Sequence, residues 1–267
     1  MRVIQLFGVL LATLSLTACL NSTTLVKLRP DGSGTVEQTT LMNVAAVKGM
    51  MGGANVRGQM NQGPMMNKED LERTASRMGK GVRLVSVEPM QGANGFEGTR
   101  AIFSFDDINQ VQISQDPNMG ENPALGKSED PVKFALTRNG SSSTLTINFS
   151  DRPAAAAGVT TPPGANEMPD LTNPMMMNML KTMFQGFKVS IGLEVVGSIV
   201  RTNAEYVSGP HITLLEMDMA ALLEDEAKLR GLQGKIGPGA SFSDVKPFLK
   251  DVKGIRIDGP AISVEFK

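Results

Sequence analysis

The chain is poor in the residue types on which most protein chemistry depends. Its 267 residues include one cysteine, one histidine, one tyrosine and no tryptophan. A zinc site needs about three or four protein ligands, and His211 is the only histidine available as a ligand. A serine hydrolase needs a histidine as the base beside its serine, and only His211 could fill that role. Nucleic-acid binding relies on clustered positive charge and stacking aromatics, whereas here 26 basic residues face 27 acidic ones. We therefore expect no metal, no cofactor, no catalytic residue and no nucleic-acid partner.

The single cysteine, Cys19, lies directly after a segment with the layout of a secretory signal. Arg2 supplies a positive start, and residues 3–16 are mostly apolar but fewer than the roughly 20 that a membrane-spanning helix needs. Leu16-Thr17-Ala18-Cys19 resembles the lipobox of bacterial lipoproteins. That resemblance implies removal of residues 1–18 and acylation of Cys19, for example with palmitate. The alternative is an ordinary signal peptide followed by a chance cysteine.

Acylation would make the mature chain a tethered domain. Each buried methylene group contributes about 0.8 kcal/mol, and stable anchoring needs more than one acyl chain, which a multiply acylated Cys19 would supply. In bacterial lipoproteins of this kind an aspartate after the cysteine favours the inner membrane. Here the next residue is Leu20, so the resemblance implies the outer membrane, with the domain facing the periplasm.

Turn signals and alternating apolar residues predict a domain made of β-hairpins with helices between them. Pro30-Asp31-Gly32-Ser33-Gly34 and Asn139-Gly140 have the composition of tight turns. Strands are predicted at 23–29, 35–42, 82–87, 98–105, 132–137, 144–149, 187–195, 198–204 and 212–215, with a final hairpin of 255–257 and 262–266. We therefore expect an α+β fold in which several helices pack on one face of an antiparallel sheet.

The predicted helices have recognisable ends. Asn67 can cap a helix over 68–78, and Asn173-Pro174 can open another that continues to 187. Two more are predicted at 218–230 and at 243–251, where Pro247 fits only a first turn. The segments 49–66, rich in Gly and Met, and 152–172, rich in Pro and Ala, are predicted to be loops. The second could divide two domains, but neither side offers much core, so we expect one domain over 19–267.

Methionine is the one abundant chemistry-bearing residue type. There are 18 in the chain, and five of them occur within residues 175–183. A stripe at helical spacing is formed by Met176, Met179, Leu180, Met183, Phe184 and Phe187. Thioethers are soft ligands that favour Cu(I), but the Leu and Phe neighbours favour a core or a groove for an apolar ligand. We predict that this stripe faces the ligand.

The remaining polar motifs have structural interpretations. His211 follows Gly209-Pro210 and is predicted to lie at a strand edge. Asp106-Asp107 is predicted to cap a short turn before Ile108, and Glu224-Asp225-Glu226 to form a solvated helix face. The segment GENPALGKS, at 120–128, has five residues between its glycines where a phosphate-binding loop has four, so we predict an ordinary loop.

Two blocks of the sequence add a family resemblance. VKLRPDGSGTVEQTTLM, at 26–42, and FKVSIGLEVVGSIVRTNAEYVSGPHITLLEMDM, at 187–219, resemble the recurrent blocks of bacterial envelope lipoproteins of the LppM type. The resemblance implies an α+β domain held at the membrane, with lipid or glycolipid binding in some members. We expect a non-enzymatic, membrane-anchored lipoprotein that binds a lipid-like ligand or an envelope protein. The alternatives are a copper-handling protein and an envelope hydrolase that uses His211.

Overall fold

The protein is mostly β, with two sheets and a few short helices. Its structure, a computed structural model, describes residues 20–44, 67–114, 131–149, 174–184, 186–228 and 242–267. The signal segment, Cys19 and the predicted loops at 49–66, 120–128 and 152–172 lie outside those residues. Among the described helices, none combines the length and the apolar character needed to cross a membrane.

The large sheet is mixed. Its strands are β1 (Leu20–Leu28), β2 (Gly34–Asn43), β3 (Arg83–Gln91), β4 (Phe96–Phe105), β8 (Lys188–Val195), β10 (Val207–Ser208), β11 (His211–Asp218) and β12 (Ile255–Ile257). They are arranged in the order β10-β11-β8-β1-β2-β4-β3, and β12 also pairs with β11. The pairing of β1 with β8 is parallel. The prediction of a purely antiparallel sheet is therefore wrong, because hairpin signals report only on strands that follow one another in sequence.

The small sheet is antiparallel throughout. Its strands are β5 (Gln112–Ile113), β6 (Val132–Asn139), β7 (Ser142–Asn148), β9 (Ile199–Thr202) and β13 (Ala261–Phe266), in the order β5-β6-β7-β13-β9. The predicted hairpin around Asn139-Gly140 is confirmed, since β6 and β7 pair across it. Gly140 has a φ of 62°, which glycine adopts without strain.

The predicted final hairpin does not form. β12 joins β11 in the large sheet, whereas β13 joins β7 and β9 in the small sheet. Between them lies Asp258, which is 7% exposed and accepts hydrogen bonds from the backbone N–H groups of Glu205 and Gly259. The chain also changes sheets between β8 and β9, at Gly197, where a Cβ would lie 2.2 Å from the backbone oxygen of Lys267. These two connections are among those that join the two sheets.

The helices are short and lie in separate places. They are α1 (Lys68–Met78), α2 (Pro174–Met183), α3 (Met219–Glu224) and α4 (Phe242–Leu249). α1 contacts β3 and β5, α2 contacts α3, and α4 contacts β12, so the helices do not form the expected layer on one face. The predicted helix over 218–230 is interrupted: α3 ends at Glu224, and the chain is helical again at 226–228. Pro247 lies beyond the first turn of α4, where only a first-turn position was expected.

α1 and the core follow the sequence pattern closely. Asn67 accepts a hydrogen bond from the backbone N–H of Asp70, 2.8 Å away, as its predicted capping role requires. The apolar residues of α1 join a core built from the facing sides of both sheets. That core includes Leu71, Ala75 and Met78 of α1, Val26, Val36, Phe103, Leu193 and Ile212 of the large sheet, and Phe134, Leu145, Ile147, Val264 and Phe266 of the small sheet. Each such large side chain contributes about 1.5–3 kcal/mol by burial.

The large sheet has two ends that differ in chemistry. At one end, which we call the Leu20 end, Leu20 lies opposite Met42, Asn21 opposite Lys188 and Asn43 opposite Phe96. At the other, the turn end, the predicted Pro30–Gly34 turn joins β1 and β2. There the amide and hydroxyl of Ser33 donate to Asp31 Oδ1 and lower the pKa of that carboxyl.

Candidate functional site

Helix α2 begins at Pro174, as predicted, but ends at Met183 and does not continue to 187. It packs on α3 through an apolar contact. Met177 and Leu223 are 4% and 3% exposed, and Leu180 and Phe184 pack against them, half-buried. Met177 lies outside the predicted stripe. The side chains of Met176, Met179 and Met183 lie outside the described part of the structure, so the ligand-facing role of the stripe stays a prediction.

Two of the predicted residues form an aromatic pair after the helix. The rings of Phe184 and Phe187 meet edge to face, with centroids 6.0 Å apart and an interplanar angle of 86°. The backbone N–H of Phe187 donates to the oxygen of Phe184, and the oxygen of Phe187 accepts from the N–H of Met219, the first residue of α3. The pair is therefore fixed between the end of α2 and the start of β8.

A third ring, Phe96, was missed by the sequence analysis. It lies at the start of β4, and a Cβ on Gly186 would come within 2.5 Å of its Cζ, so the ring covers that glycine. Gly186 has a φ of 85°, and the sharp turn it allows brings the α2–β8 connection against β4. Phe96, Phe184 and Phe187 are all half-buried. We call these three residues the aromatic cluster. It lies at the Leu20 end of the large sheet.

An ion pair fixes the helix beside this cluster. Lys181 Nζ lies 2.6 Å from Glu226 Oε1, in the segment that follows α3. On the far side of α3, Lys253 Nζ lies 2.6 Å from Glu224 Oε2, and this hydrogen bond lowers the pKa of Glu224. Glu224 and Glu226, two carboxylates of the predicted solvated cluster, are thus ion-paired with lysines, which leaves them poorly suited to acid–base chemistry.

Three buried polar residues lie near the middle of the large sheet, on the face that elsewhere forms the core. Thr24 lies opposite Gln38, and Thr99 lies opposite Thr40. Thr24, Gln38 and Thr99 are only 5–6% exposed. The hydroxyl of Thr99 is fully buried and finds no hydrogen-bond partner among the described residues. Such a group costs free energy when it stays unpaired.

The outer face of the large sheet carries paired charges. Arg100 Nε lies 2.8 Å from Glu37 Oε1, Lys27 lies 3.7 Å from the same carboxylate, and Glu88 lies 3.7 Å from Arg100. The hydrogen bond from Arg100 lowers the pKa of Glu37 despite its partial burial. The four side chains span β1, β2, β4 and β3 in order, and they stabilise the pairing of these strands.

The residues considered for catalysis or metal binding are dispersed. His211 is the first residue of β11, as predicted, and a Cβ on Gly192 would lie 2.9 Å from its ring. Asp107 accepts a hydrogen bond from the N–H of Asn109 and caps the predicted turn, while Asp106 pairs with Arg83 at 2.9 Å. Within the described ranges, the structure brings together no group of three or more His, Cys, Asp or Glu side chains that could hold a metal ion.

Comparison with known proteins gives one structural match. No family model matches the sequence, and the search of curated proteins finds no match. The solved structure that matches is the NMR structure of the folded domain of LppM from Mycobacterium tuberculosis. The match covers 93% of this chain and 90% of that domain, with 13% sequence identity and a TM-score of 0.37.

Proposed function

We propose that this chain is a non-enzymatic lipoprotein of the bacterial envelope that binds an apolar, lipid-like ligand at the Leu20 end of its large sheet. The anchor is an acylated Cys19, and Leu20 after it favours the outer membrane. The observation that carries the binding proposal is the aromatic cluster of Phe96, Phe184 and Phe187. Its three rings are only half-buried, whereas Phe103 and Phe266 in the core are 0% exposed.

The chemistry around the cluster suits an amphiphile. Aromatic and aliphatic side chains supply non-directional contact with an acyl chain, and binding sites for small molecules are mostly apolar with a few convergent polar groups. The same sheet also contains buried polar groups, those of Thr24, Gln38 and Thr99 on its core-facing side. The predicted Met176, Met179 and Met183 side chains would add adaptable apolar surface.

The test is to measure binding of a dansylated fatty acid to the soluble domain, without signal or anchor. Changing Met179, Met183 and Phe184 to serine should weaken binding at least about tenfold, or about 1.4 kcal/mol. Val200→Ser is the matched control, because Val200 is 52% exposed on β9 of the small sheet. It should leave binding unchanged.

Circular dichroism and urea unfolding separate loss of ligand from loss of fold. A triple variant that stays folded but binds weakly supports the proposal. A triple variant that is folded and binds as well as the natural sequence refutes it. Cu(I) titration of the same proteins addresses the alternative: tight binding that disappears in the triple variant would assign these methionines to copper.

A further inference from the structure

We infer that the Leu20 end of the large sheet rests directly on the membrane that holds the anchor, with the turn end pointing away from it. This inference rests on the proposed acylation of Cys19. It concerns an interaction surface and its partner, a lipid surface, and it follows from how little chain separates the anchor from the fold.

No residue separates the proposed anchor, Cys19, from the first strand, because β1 begins at Leu20. Leu20 is already the first residue of β1, lies opposite Met42 and is 7% exposed. Asn21 is flanked on both sides, by Leu41 of β2 and by Lys188 of β8. After cleavage at the lipobox the acylated residue would be one trans peptide, about 3.8 Å between Cα atoms, from Leu20. A chain this short cannot let the domain move away from the bilayer.

The surface that would meet the membrane includes apolar side chains. Met42, Met90, Phe96 and Phe187 all lie at or next to the ends of strands there, and all are half-buried. Aromatic and thioether side chains at such a rim can enter the interface between headgroups and acyl chains. The contact therefore adds to the anchor.

Charge is not the main attraction at this end. Lys188 Nζ lies 2.8 Å from Glu216 and 4.0 Å from Asp218, and Lys181 and Lys253 are paired with Glu226 and Glu224. A polybasic patch gains about 1 kcal/mol per unpaired Lys or Arg near an anionic surface. Because these lysines are neutralised by carboxylates, we expect the contact to depend little on anionic lipid.

The turn end would be held well away from the bilayer. β1 has nine residues, which at about 3.3 Å per residue separate its two ends by about 26 Å. The turn carries Asp31 and Ser33, and the β6–β7 turn lies close by, since Ser143 Oγ donates to the backbone oxygen of Pro30, 3.0 Å away. A label on this second turn therefore reports on the distal end.

The experiment uses the fact that Cys19 is the only cysteine in the sequence and is consumed by acylation. A cysteine introduced by Gln91→Cys, at the exposed end of β3, marks the Leu20 end. Asn139→Cys, at the exposed β6–β7 turn, marks the turn end. Each full-length, acylated variant carries a fluorophore and is reconstituted in phosphatidylcholine vesicles that contain headgroup-nitroxide lipid.

Fluorescence quenching then reports which end is near the membrane. We expect quenching at position 91 to exceed that at position 139 severalfold, with less than about a twofold change when anionic lipid is added. Inserting about twenty Gly and Ser residues between Cys19 and Leu20, which span roughly 25 Å, should remove most of the difference. Equal quenching at both positions, in a protein whose acylation is verified by mass spectrometry, would overturn this inference but leave the proposed anchor intact. An unmodified Cys19 would overturn the proposed anchor, and the inference with it.

Discussion

Asp258 is expected to control the stability of the whole domain, because it lies where the chain leaves the large sheet for the small one. Its Oδ2 accepts from the N–H of Glu205 at 3.0 Å and its Oδ1 from the N–H of Gly259 at 2.8 Å. The N–H of Asp258 itself donates to the oxygen of Leu214 in β11, 3.1 Å away. The carboxylate thus links the β12–β13 connection to the β9–β10 connection through hydrogen bonds.

The magnitude follows from these two hydrogen bonds. A bond to a charged group contributes about 1.5–3 kcal/mol. Asp258→Ala removes two, and water can reach the freed N–H of the exposed Glu205, so we expect a loss of about 3 kcal/mol. Asp258→Asn keeps one accepting oxygen and should lose about half as much. Against a total stability of about 5–15 kcal/mol, the alanine variant should unfold much more easily.

Urea unfolding followed by circular dichroism measures this loss. With a slope of about 2 kcal/mol per molar urea, the midpoint of Asp258→Ala should fall by about 1.5 M. Asp251→Ala is the control, since Asp251 is an exposed carboxylate on the preceding connection and should change stability by less than about 0.5 kcal/mol. A loss below about 1 kcal/mol in Asp258→Ala would refute the assignment of this residue as the link between the sheets.

Two further substitutions test the electrostatics and the buried polar residues. Glu37→Gln should cost about 1 kcal/mol at neutral pH. Arg100 lowers the pKa of Glu37 below its ordinary 4.5. The difference in free energy of unfolding between the variant and the natural protein should therefore be complete above pH 4.5 and disappear as the pH falls through the lowered pKa. A difference that does not change with pH would contradict the pairing. Thr99→Val should stabilise the ligand-free domain by about 1 kcal/mol, because it replaces an unpaired buried hydroxyl with a methyl of similar shape. Thermal unfolding measures it, and a destabilised Thr99→Val would mean that the hydroxyl has a partner.

Local structure was predictable because local interactions determine it. The Pro30–Gly34 turn, the Asn67 cap of α1 and the Asp107 cap each depend on side chains that bond to backbone groups two or three residues away. Reading the sequence was enough to place them within a residue or two. The strands predicted at 23–29 and 35–42 overlap β1 and β2, since each has one buried face that favours a strand pattern.

Long-range pairing could not be predicted in the same way. The parallel contact of β1 with β8 joins residues far apart in sequence, and no turn signal reports it. The assignment of β12 and β13 to one hairpin failed for a related reason: a short connection containing Gly259 resembles a hairpin loop, although here it spans two sheets. Phe96 was missed because its role depends on Gly186, which the fold alone brings next to it.

If Cys19 is acylated as proposed, the proposed site lies close to the bilayer, and this has a physical consequence for ligand exchange. A domain held away from the bilayer by a long linker would exchange an apolar ligand with the bilayer only through water, where each exposed methylene group costs about 0.8 kcal/mol. In this chain the aromatic cluster and the first residue of β1 lie at the same end of one sheet. A lipid-like ligand taken from the bilayer would therefore pass between two apolar environments that are within a few residues of each other. An anchor at Cys19, as proposed, and the incomplete burial of Phe96, Phe184 and Phe187 are two features that the same function would require.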